Sequence, residues 1–351
     1  MSKLTRRSLM LAGGATAALT LGTWGRPRAS YAQGRQEVNL YSSRHYNTDN
    51  ALYEGFTART GIRVNLIEGN ADELMARILN EGANSPADVF MTVDAGKLWQ
   101  AKEEDIFAPV ESAVLTERIP ENLRHPEGYW FGYSKRARVI MYNRDRVNPA
   151  ELSTYEALTD AKWRGQILTR TSTNIYSQSL LAAMIETKGA AATEAWAAGL
   201  VENFARRREG NDTAQIQAAA AGLGSLAIAN SYYLVRLGKS EDAADRAIFD
   251  KIGAFFPNQQ GRGTHVNISG AGMVKTAPNR DAAVQFLEYL SSPEAQAFFA
   301  QGNNEYPAVP GTPIDPVLAS LGTFKEDPVN VEAYGRNSAE AIRIADRVGW
   351  A

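Results

Sequence analysis

The feature that most constrains the fold is a regular alternation of short apolar runs and amphipathic stretches. Predicted strands around Leu40, at residues 64–67 and at residues 88–91 are each followed by a predicted helix. Strands joined through helices run parallel, and the helices then cover both faces of the sheet. The pattern therefore predicts an α/β fold on a mixed, mostly parallel sheet flanked by helices.

The pattern changes at two extended aromatic-rich runs, residues 129–131 and 139–142, which predict a crossing into a second lobe. More strands and helices follow, and the chain is predicted to return to the first lobe near Val266. A chain that leaves one lobe and returns implies a hinge of a few strands and a cleft between the lobes. The predicted lobes are residues 36–134 plus 266–315 and residues 135–265 plus 316–351.

The N-terminal segment has the form of an export signal and not of a folded element. Arg6 and Arg7 precede a weakly apolar run that ends at Leu21, and the small-x-small sequence Ser30-Tyr31-Ala32 follows. The run is too short and too rich in glycine, alanine and threonine to span a bilayer comfortably. The twin arginine resembles the signal for export of folded proteins, so residues 1–32 are predicted to be a twin-arginine-type export signal.

Composition excludes several kinds of site and partner. The chain has no cysteine, which rules out thiolate metal sites, cysteine nucleophiles and iron–sulfur clusters. Its formal net charge is −2, and the predicted export signal contains basic residues but no acidic one. The remainder is therefore more acidic still, and nothing in it predicts a nucleic-acid partner.

Two adjacent tyrosines follow a predicted buried strand. Residues 226–229 form the strand, and Asn230 or Ser231 can cap a helix whose first turn carries Tyr232 and Tyr233. On a regular helix neighbouring side chains point about 100° apart, so such a pair is most often one core ring and one surface ring. At a strand-to-helix turn both phenols can reach one crevice at the carboxyl end of the sheet. The pair alone leaves both roles open.

The same placement recurs elsewhere in the chain. His45 and Tyr46 follow the first strand, and Tyr176 begins a helix after another strand. The pKa of a free phenol is about 10, so only a strong Lewis acid would deprotonate four of them near neutrality. Ferric iron is such an acid and binds tyrosinate, whereas zinc and copper favour several His or Cys ligands. The recurrence predicts a ferric iron site.

Four phenolates on a trivalent cation leave one negative charge. Arg136 and Arg236 are predicted to balance it without being ligands, although each could be an ordinary surface arginine. Asp94 and Glu73 could supplement the site, but the role predicted for them is helix capping or contact with solvent. His125 and His265 are predicted to be loop histidines and not ligands.

Sequence signatures of catalysis are absent. The chain has no Gly-x-Ser-x-Gly elbow, Walker loop, His-Glu-x-x-His helix or Gly-x-Gly-x-x-Gly turn after a strand. The glycines of residues 261–263 form a single loop without the helix that a phosphate site needs. The sequence therefore predicts a binding protein and not an enzyme.

Four segments carry a resemblance to a known family: residues 41–46 (YSSRHY), 174–176 (NIY), 230–234 (NSYYL) and 286–296 (FLEYLSSPEAQ). Together they resemble the iron-binding solute-binding proteins of ABC iron importers, of the type found in cyanobacteria. The resemblance extends over essentially the whole chain after the export signal. The last segment marks only the broad superfamily, whereas the spaced tyrosines are specific.

The resemblance implies a two-lobed periplasmic-binding-protein fold of type II and a non-catalytic carrier located in the periplasm. It implies ferric iron as the bound cargo, an ABC permease of the inner membrane as the partner, and a monomer. The metal ligands that it implies are His45, Tyr46, Tyr176, Tyr232 and Tyr233. Relatives that hold the metal together with a bound anion have fewer tyrosine ligands. The four tyrosines of this chain therefore imply that no such anion is required.

Two alternatives remain at this point. A solute-binding protein for a small organic anion or a sugar could use the tyrosines to stack on its ligand. An exported hydrolase is the alternative from a different class. Colour separates them, because phenolate-to-iron charge transfer would tint only an iron protein.

Overall fold

The computed structural model describes residues 36–44, 46 and 48–350. The predicted export signal, residues 1–32, and the predicted ligand His45 lie outside the described residues. Within the described part, no helix combines the length and the apolar character that crossing a membrane requires.

The described residues form ten strands and a larger number of helices. The strands are β1 (Glu37–Ser42), β2 (Arg63–Glu68), β3 (Val89–Thr92), β4 (Phe107–Ala108), β5 (Phe131–Asn143), β6 (Ile167–Leu168), β7 (Leu226–Asn230), β8 (Ile252–Phe255), β9 (Val266–Val274) and β10 (Tyr306–Pro307). The α-helices are α1 (Asp49–Thr60), α2 (Ala71–Glu81), α3 (Ala95–Glu103), α4 (Ala113–Arg118), α5 (Ile175–Lys188), α6 (Ala190–Glu202), α7 (Asp212–Ala220), α8 (Ser231–Gly238), α9 (Ala243–Lys251), α10 (Arg280–Leu290), α11 (Pro293–Gly302), α12 (Pro316–Ala319), α13 (Glu332–Arg336) and α14 (Ser338–Arg347).

The strands belong to one mixed sheet, as predicted. The order of the strands in it is β2-β1-β3-β9-β5-β7-β6. β4 pairs with β9, and β8 and β10 pair with β5. β1 is parallel to β2 and β3, and β6 is parallel to β7. The remaining strand pairs are all antiparallel, so the sheet has fewer parallel pairs than the mostly parallel sheet that was predicted. The reason is that β5 and β9, in the middle of the sheet, run against their neighbours.

β5 joins the two halves of the sheet. Its first part, Phe131 to Ala137, pairs with β9, and its second part, Arg138 to Tyr142, pairs with β7. The backbone N–H of Arg138 donates to the carbonyl of His265, the residue before β9, at 3.0 Å. β5 and the residues that lead into β9 are the two connections between the halves of the sheet. They therefore lie side by side, as a hinge requires.

The extended runs predicted at 129–131 and 139–142 are joined in one element, because β5 continues without a break from Phe131 to Asn143. The polar residues between the runs interrupt the apolar pattern. Ser134, Arg136 and Arg138 are nevertheless buried within the strand. Hydrophobic patterning cannot detect a strand whose buried face is polar.

Helix periodicity places the core as expected. Leu52 and Phe56, four residues apart on α1, are both buried, and the Phe56 ring meets the ring of Phe286 on α10 edge-on at 5.1 Å. Burying a side chain of this kind contributes about 1.5–3 kcal/mol. The predicted start of α11 is confirmed, because Ser292 caps it and Pro293 occupies its first turn.

Candidate metal centre

The four predicted tyrosines come from three separate segments. Tyr46 follows β1, and Tyr176 is the second residue of α5. Tyr232 and Tyr233 lie in the first turn of α8, directly after β7. Three of the four phenols thus start at the N-terminal turn of a helix, where the helix dipole favours negative charge.

These segments converge on one point. The hydroxyl oxygens of Tyr176 and Tyr232 lie 3.3 Å apart. The rings of Tyr232 and Tyr233 stack with their centroids 4.2 Å apart. The guanidinium carbon of Arg236 lies 5.1 Å, 5.8 Å and 5.5 Å from the ring centroids of Tyr232, Tyr233 and Tyr46, respectively. The structure therefore brings the four predicted tyrosines together, with the Tyr232 side chain buried and the other three partly buried.

The local sequence explains how the two helices present their tyrosines. Asn174 caps α5, because its side-chain oxygen accepts a hydrogen bond from the backbone N–H of Tyr176 at 3.0 Å. The predicted side-chain cap of α8 is absent among the described contacts. The Asn230 side chain instead accepts a hydrogen bond from Arg138 at 3.1 Å, and the Ser231 hydroxyl accepts one from the Ala137 N–H at 3.3 Å. These bonds tie the start of α8 to β5.

Tyr46, Tyr232 and Tyr233 are neutral at neutral pH in the absence of a cation. Burial is the main cause that raises the pKa of Tyr46, Tyr232 and Tyr233 above the ordinary value for a phenol. The Glu305 carboxylate adds to the rise at Tyr46, and the neighbouring tyrosines add to it at Tyr232. The Arg136 guanidinium opposes it at both of these residues. A bound cation must therefore displace protons from the phenols.

Arg136 lies beside the tyrosine cluster. It is buried, its guanidinium carbon is 5.7 Å from the Tyr176 ring centroid, and it donates to the Ser269 hydroxyl at 3.0 Å. Burial alone would lower the pKa of Arg136, but Tyr176 and Glu305 more than reverse this and raise it. Within the described part of the chain, its Nε and Nη2 have no hydrogen-bond partner. Its charge is therefore available to negative charge that develops on the phenols. Arg236, by contrast, is exposed.

The sequence reasoning missed other arginines at the site. Arg138 and Arg170 lie 5.9 Å and 5.4 Å from the Tyr176 ring centroid, and both face the buried Asp212, at 2.6 Å and 3.7 Å. Arg44 lies 4.7 Å from the Tyr46 ring centroid. A signal existed for Arg138, because side chains two residues apart on a strand share a face and Arg136 was already assigned to the site.

The remaining candidates lie elsewhere. Asp94 caps α3 by accepting from the Gly96 N–H at 2.7 Å, as predicted, and Glu73 is exposed on α2. His265 is buried, and burial together with nearby arginines lowers its pKa to about 3. Among the described residues, no group of three or more His, Cys, Asp or Glu side chains could hold a metal ion. The tyrosine cluster is thus the candidate metal centre.

Comparison with known proteins identifies the family. The family described as bacterial extracellular solute-binding proteins matches residues 51–326. The chain is 57% identical over 351 residues to iron uptake protein A2 of Synechocystis, over 99% of both chains. A Trichodesmium structure described as FutA in complex with iron and citrate ligands is 61% identical, with a TM-score of 0.88 over 90% of this chain and 100% of that one.

A more distant relative is the Fe(3+)-binding periplasmic protein of Serratia marcescens, which is 28% identical over 92% of this chain and 93% of its own. The similarity to these proteins extends through the described sheet and its helices and confirms the predicted two-lobed periplasmic-binding-protein fold. The chain belongs to the family of bacterial extracellular solute-binding proteins, and within it to the cyanobacterial Fut-type group that its tyrosine motifs resemble.

Proposed function

We propose that this protein captures ferric iron in the cleft between its lobes and delivers it to an ABC permease. The observation that carries the proposal is the convergence of four tyrosines from three segments, with two hydroxyl oxygens 3.3 Å apart. Phenolates in this number suit a trivalent cation. The relatives named for iron support the same cargo. The chain is a binding protein and not an enzyme.

The proposed ligands are Tyr46, Tyr176, Tyr232 and Tyr233 as phenolates, with His45 as the fifth. His45 lies outside the described residues, so its assignment rests on the sequence motif. The charge of −1 on a ferric ion with four phenolates is balanced by nearby guanidiniums, which do not bind the metal themselves. Arg136 and Arg236 are proposed for this role, because each lies within 6 Å of a tyrosine ring.

The spacing of the rings favours an ion over the alternative ligands. A sugar or an organic anion that stacks on tyrosine needs open ring faces and a cavity of several hundred Å³. Here one face of Tyr232 is covered by Tyr233 at a centroid distance of 4.2 Å, and Tyr232 is only 2% exposed. Tyr232 thus stacks on Tyr233 through its ring face and meets Tyr176 through its hydroxyl group, which leaves no open ring face on Tyr232 for a ligand.

The proposed setting follows from the family and the N-terminal sequence. Residues 1–32 would direct export through the twin-arginine pathway, and the mature protein would act as a monomer in the periplasm. Its partner would be the permease of an iron importer in the inner membrane. The relative from Serratia, named as a periplasmic protein, supports this location.

The direct test is the absorption spectrum of the metal-free protein during titration with ferric citrate. We expect a red or orange charge-transfer band that reaches its maximum at one iron per chain, because phenolate binding to ferric iron produces such a band. Titration of the same sample with zinc is the control and should give no visible band. Iron that binds without a visible band would contradict the phenolate ligands, and no binding at all would contradict the function.

The proposed lobes are residues 36–134 plus 266–315 and residues 135–265 plus 316–351. Tyr46 then belongs to the first lobe, while Tyr176, Tyr232 and Tyr233 belong to the second. The contact of Arg236 on α8 with the Tyr46 ring, at 5.5 Å, would cross the cleft. So would the hydrogen bond from the Ser179 hydroxyl to Asp94 at 2.9 Å. Iron could load on the second lobe first and recruit Tyr46 as the cleft closes.

Small-angle scattering tests this sequence of events. The parent protein is expected to contract when ferric iron is added, because Tyr46 binds only in the closed form and that difference in affinity drives closure. The Tyr46→Phe variant should still become coloured but should no longer contract. Equal contraction of the variant and the parent would show that Tyr46 does not close the cleft.

A further inference from the structure

We propose that Arg44 is a positioning residue for the metal centre: its guanidinium, held by two buried carboxylates, fixes Tyr46 in the orientation that binds iron. The inference rests on the proposed function and adds a residue to which no metal-binding role was assigned. Arg44 directs no atom to the cation in this arrangement. It acts through the ring of Tyr46.

Arg44 is a fully buried charged side chain on the loop that carries Tyr46. Its Nε donates to one oxygen of Asp49 at 2.8 Å, and its Nη2 reaches the other oxygen at 3.4 Å. Its Nη1 lies 3.3 Å from Glu305 and 3.5 Å from the Ser134 hydroxyl. Three elements of the fold therefore hold one guanidinium: the start of α1, β5 and the segment before β10.

The same guanidinium lies between two rings. Its central carbon is 4.7 Å from the Tyr46 ring centroid and 5.1 Å from the Phe299 ring centroid. Phe299 is buried on α11 and supports Arg44 from the core. A planar guanidinium can stack on a ring while its edge binds carboxylates, which a lysine ammonium cannot do. Arg44 therefore fixes the plane of the Tyr46 ring as well as the path of its loop.

Glu305 links this arrangement to the rest of the centre. One of its oxygens accepts from the Ser134 hydroxyl at 2.6 Å and faces Arg44, while the other lies 3.7 Å from Arg136. Asn303, two residues earlier, donates to Asp49 at 2.8 Å. Arg44 thus belongs to a buried network that includes Arg136, whose guanidinium carbon lies 5.7 Å from the Tyr176 ring centroid. A network of this kind holds its members in one geometry.

The test is a double-mutant cycle on iron affinity, measured by competition with citrate. Arg44→Lys keeps the positive charge and removes the fork and the stacking, and we expect a loss of about 10–100-fold, the range for residues that orient metal ligands. Tyr46→Phe removes the ligand itself. If Arg44 acts through Tyr46, the double variant should bind iron no more weakly than Tyr46→Phe alone.

The visible band provides a second measurement that a purely structural role would not change. With Tyr46 less well oriented toward the metal, the iron-saturated Arg44→Lys protein should show a weaker band, reduced by at most about one quarter, because at most one of four phenolates leaves the iron. Arg77→Lys is the matched control, since Arg77 also faces a tyrosine ring, that of Tyr41 at 5.1 Å, far from the cluster. It should retain the parent's affinity and spectrum.

Additive losses in the double variant, or an unchanged band in Arg44→Lys, would overturn the inference while leaving the proposed function intact. A parent protein that binds no iron would overturn both. If Arg44→Lys does not fold, Asp49→Asn serves instead, because it weakens the grip on the guanidinium and keeps the side-chain shape. The same non-additivity with Tyr46→Phe is expected for it, and additivity would again overturn the inference.

Discussion

Acidification is expected to release iron from the protein in a steep transition between pH 7 and pH 4. Each phenolate ligand takes up a proton as it leaves the metal. Burial raises the pKa of Tyr46, Tyr232 and Tyr233 in the metal-free protein, so these phenols are fully protonated there throughout this range. Protons therefore compete with iron for these three phenols, and the affinity for iron falls by up to about three powers of ten for each pH unit of acidification.

The direction of the effect follows from these raised pKa values. A raised pKa stabilises the protonated, metal-free form, so lower pH favours release and higher pH favours binding. The Arg136 guanidinium works against the rise at Tyr46 and Tyr232, which keeps binding possible at neutral pH.

The measurement is a titration of the charge-transfer band in both pH directions, with far-ultraviolet circular dichroism to monitor folding. The band should disappear before the fold does and return when the pH is restored. Tyr233→Phe is the matched variant, and its slope against pH should correspond to one proton fewer. A band that does not change down to about pH 4, far below the pKa of a free phenol, would refute phenolate binding.

The sequence allowed the candidate site to be predicted where its polar side chains lie at the ends of strands. Tyr176 and Tyr232 were predicted to meet because each begins a helix that follows a strand, and their hydroxyl oxygens lie 3.3 Å apart. Residues that directly follow parallel strands lie at the same edge of the sheet, so their proximity can be predicted from the order of strands and helices alone. Arg136 was predicted from charge balance alone and lies 5.7 Å from the Tyr176 ring centroid.

The sequence did not allow the buried charged residues to be predicted. Arg44, Arg138 and Asp212 are charged and yet buried, because each is paired with an opposite charge from a distant part of the chain: Arg44 with Glu305, and Arg138 with Asp212. Charged residues are ordinarily exposed, and no local pattern indicates which ones have distant partners. The same polar interior concealed the continuity of β5.

Removal of a single phenol hydroxyl is expected to weaken iron binding greatly while leaving the fold nearly unchanged. Tyr232→Phe deletes one proposed anionic ligand and keeps the ring that stacks on Tyr233 at 4.2 Å. Loss of a residue that merely orients a ligand costs 10–100-fold in metal affinity, so loss of the ligand should cost at least about 100-fold. Retention of iron against increasing citrate measures the difference.

The free energy of unfolding of the metal-free Tyr232→Phe protein should, in contrast to its iron affinity, change little. Among the described contacts, the variant loses the hydrogen bond between the hydroxyl groups of Tyr232 and Tyr176, which is worth about 1 kcal/mol. Tyr289→Phe is the control, because Tyr289 is also buried but packs on Phe56 in the core, with ring centroids 5.4 Å apart. It should retain iron as the parent does.

A core role for Tyr232 predicts the opposite outcome, with a large loss of stability and full retention of iron by Tyr232→Phe. The geometry argues against that outcome. The Tyr232 hydroxyl lies 3.3 Å from the Tyr176 hydroxyl, and the Arg236 guanidinium carbon lies 5.1 Å from the Tyr232 ring centroid, so the side chain faces a polar cluster and not an apolar core. The hydrogen bond between the two phenols contributes only about 1 kcal/mol to the metal-free protein, whereas a cation that replaces their protons binds both oxygens. Loss of the hydroxyl should therefore cost far more in iron affinity than in stability.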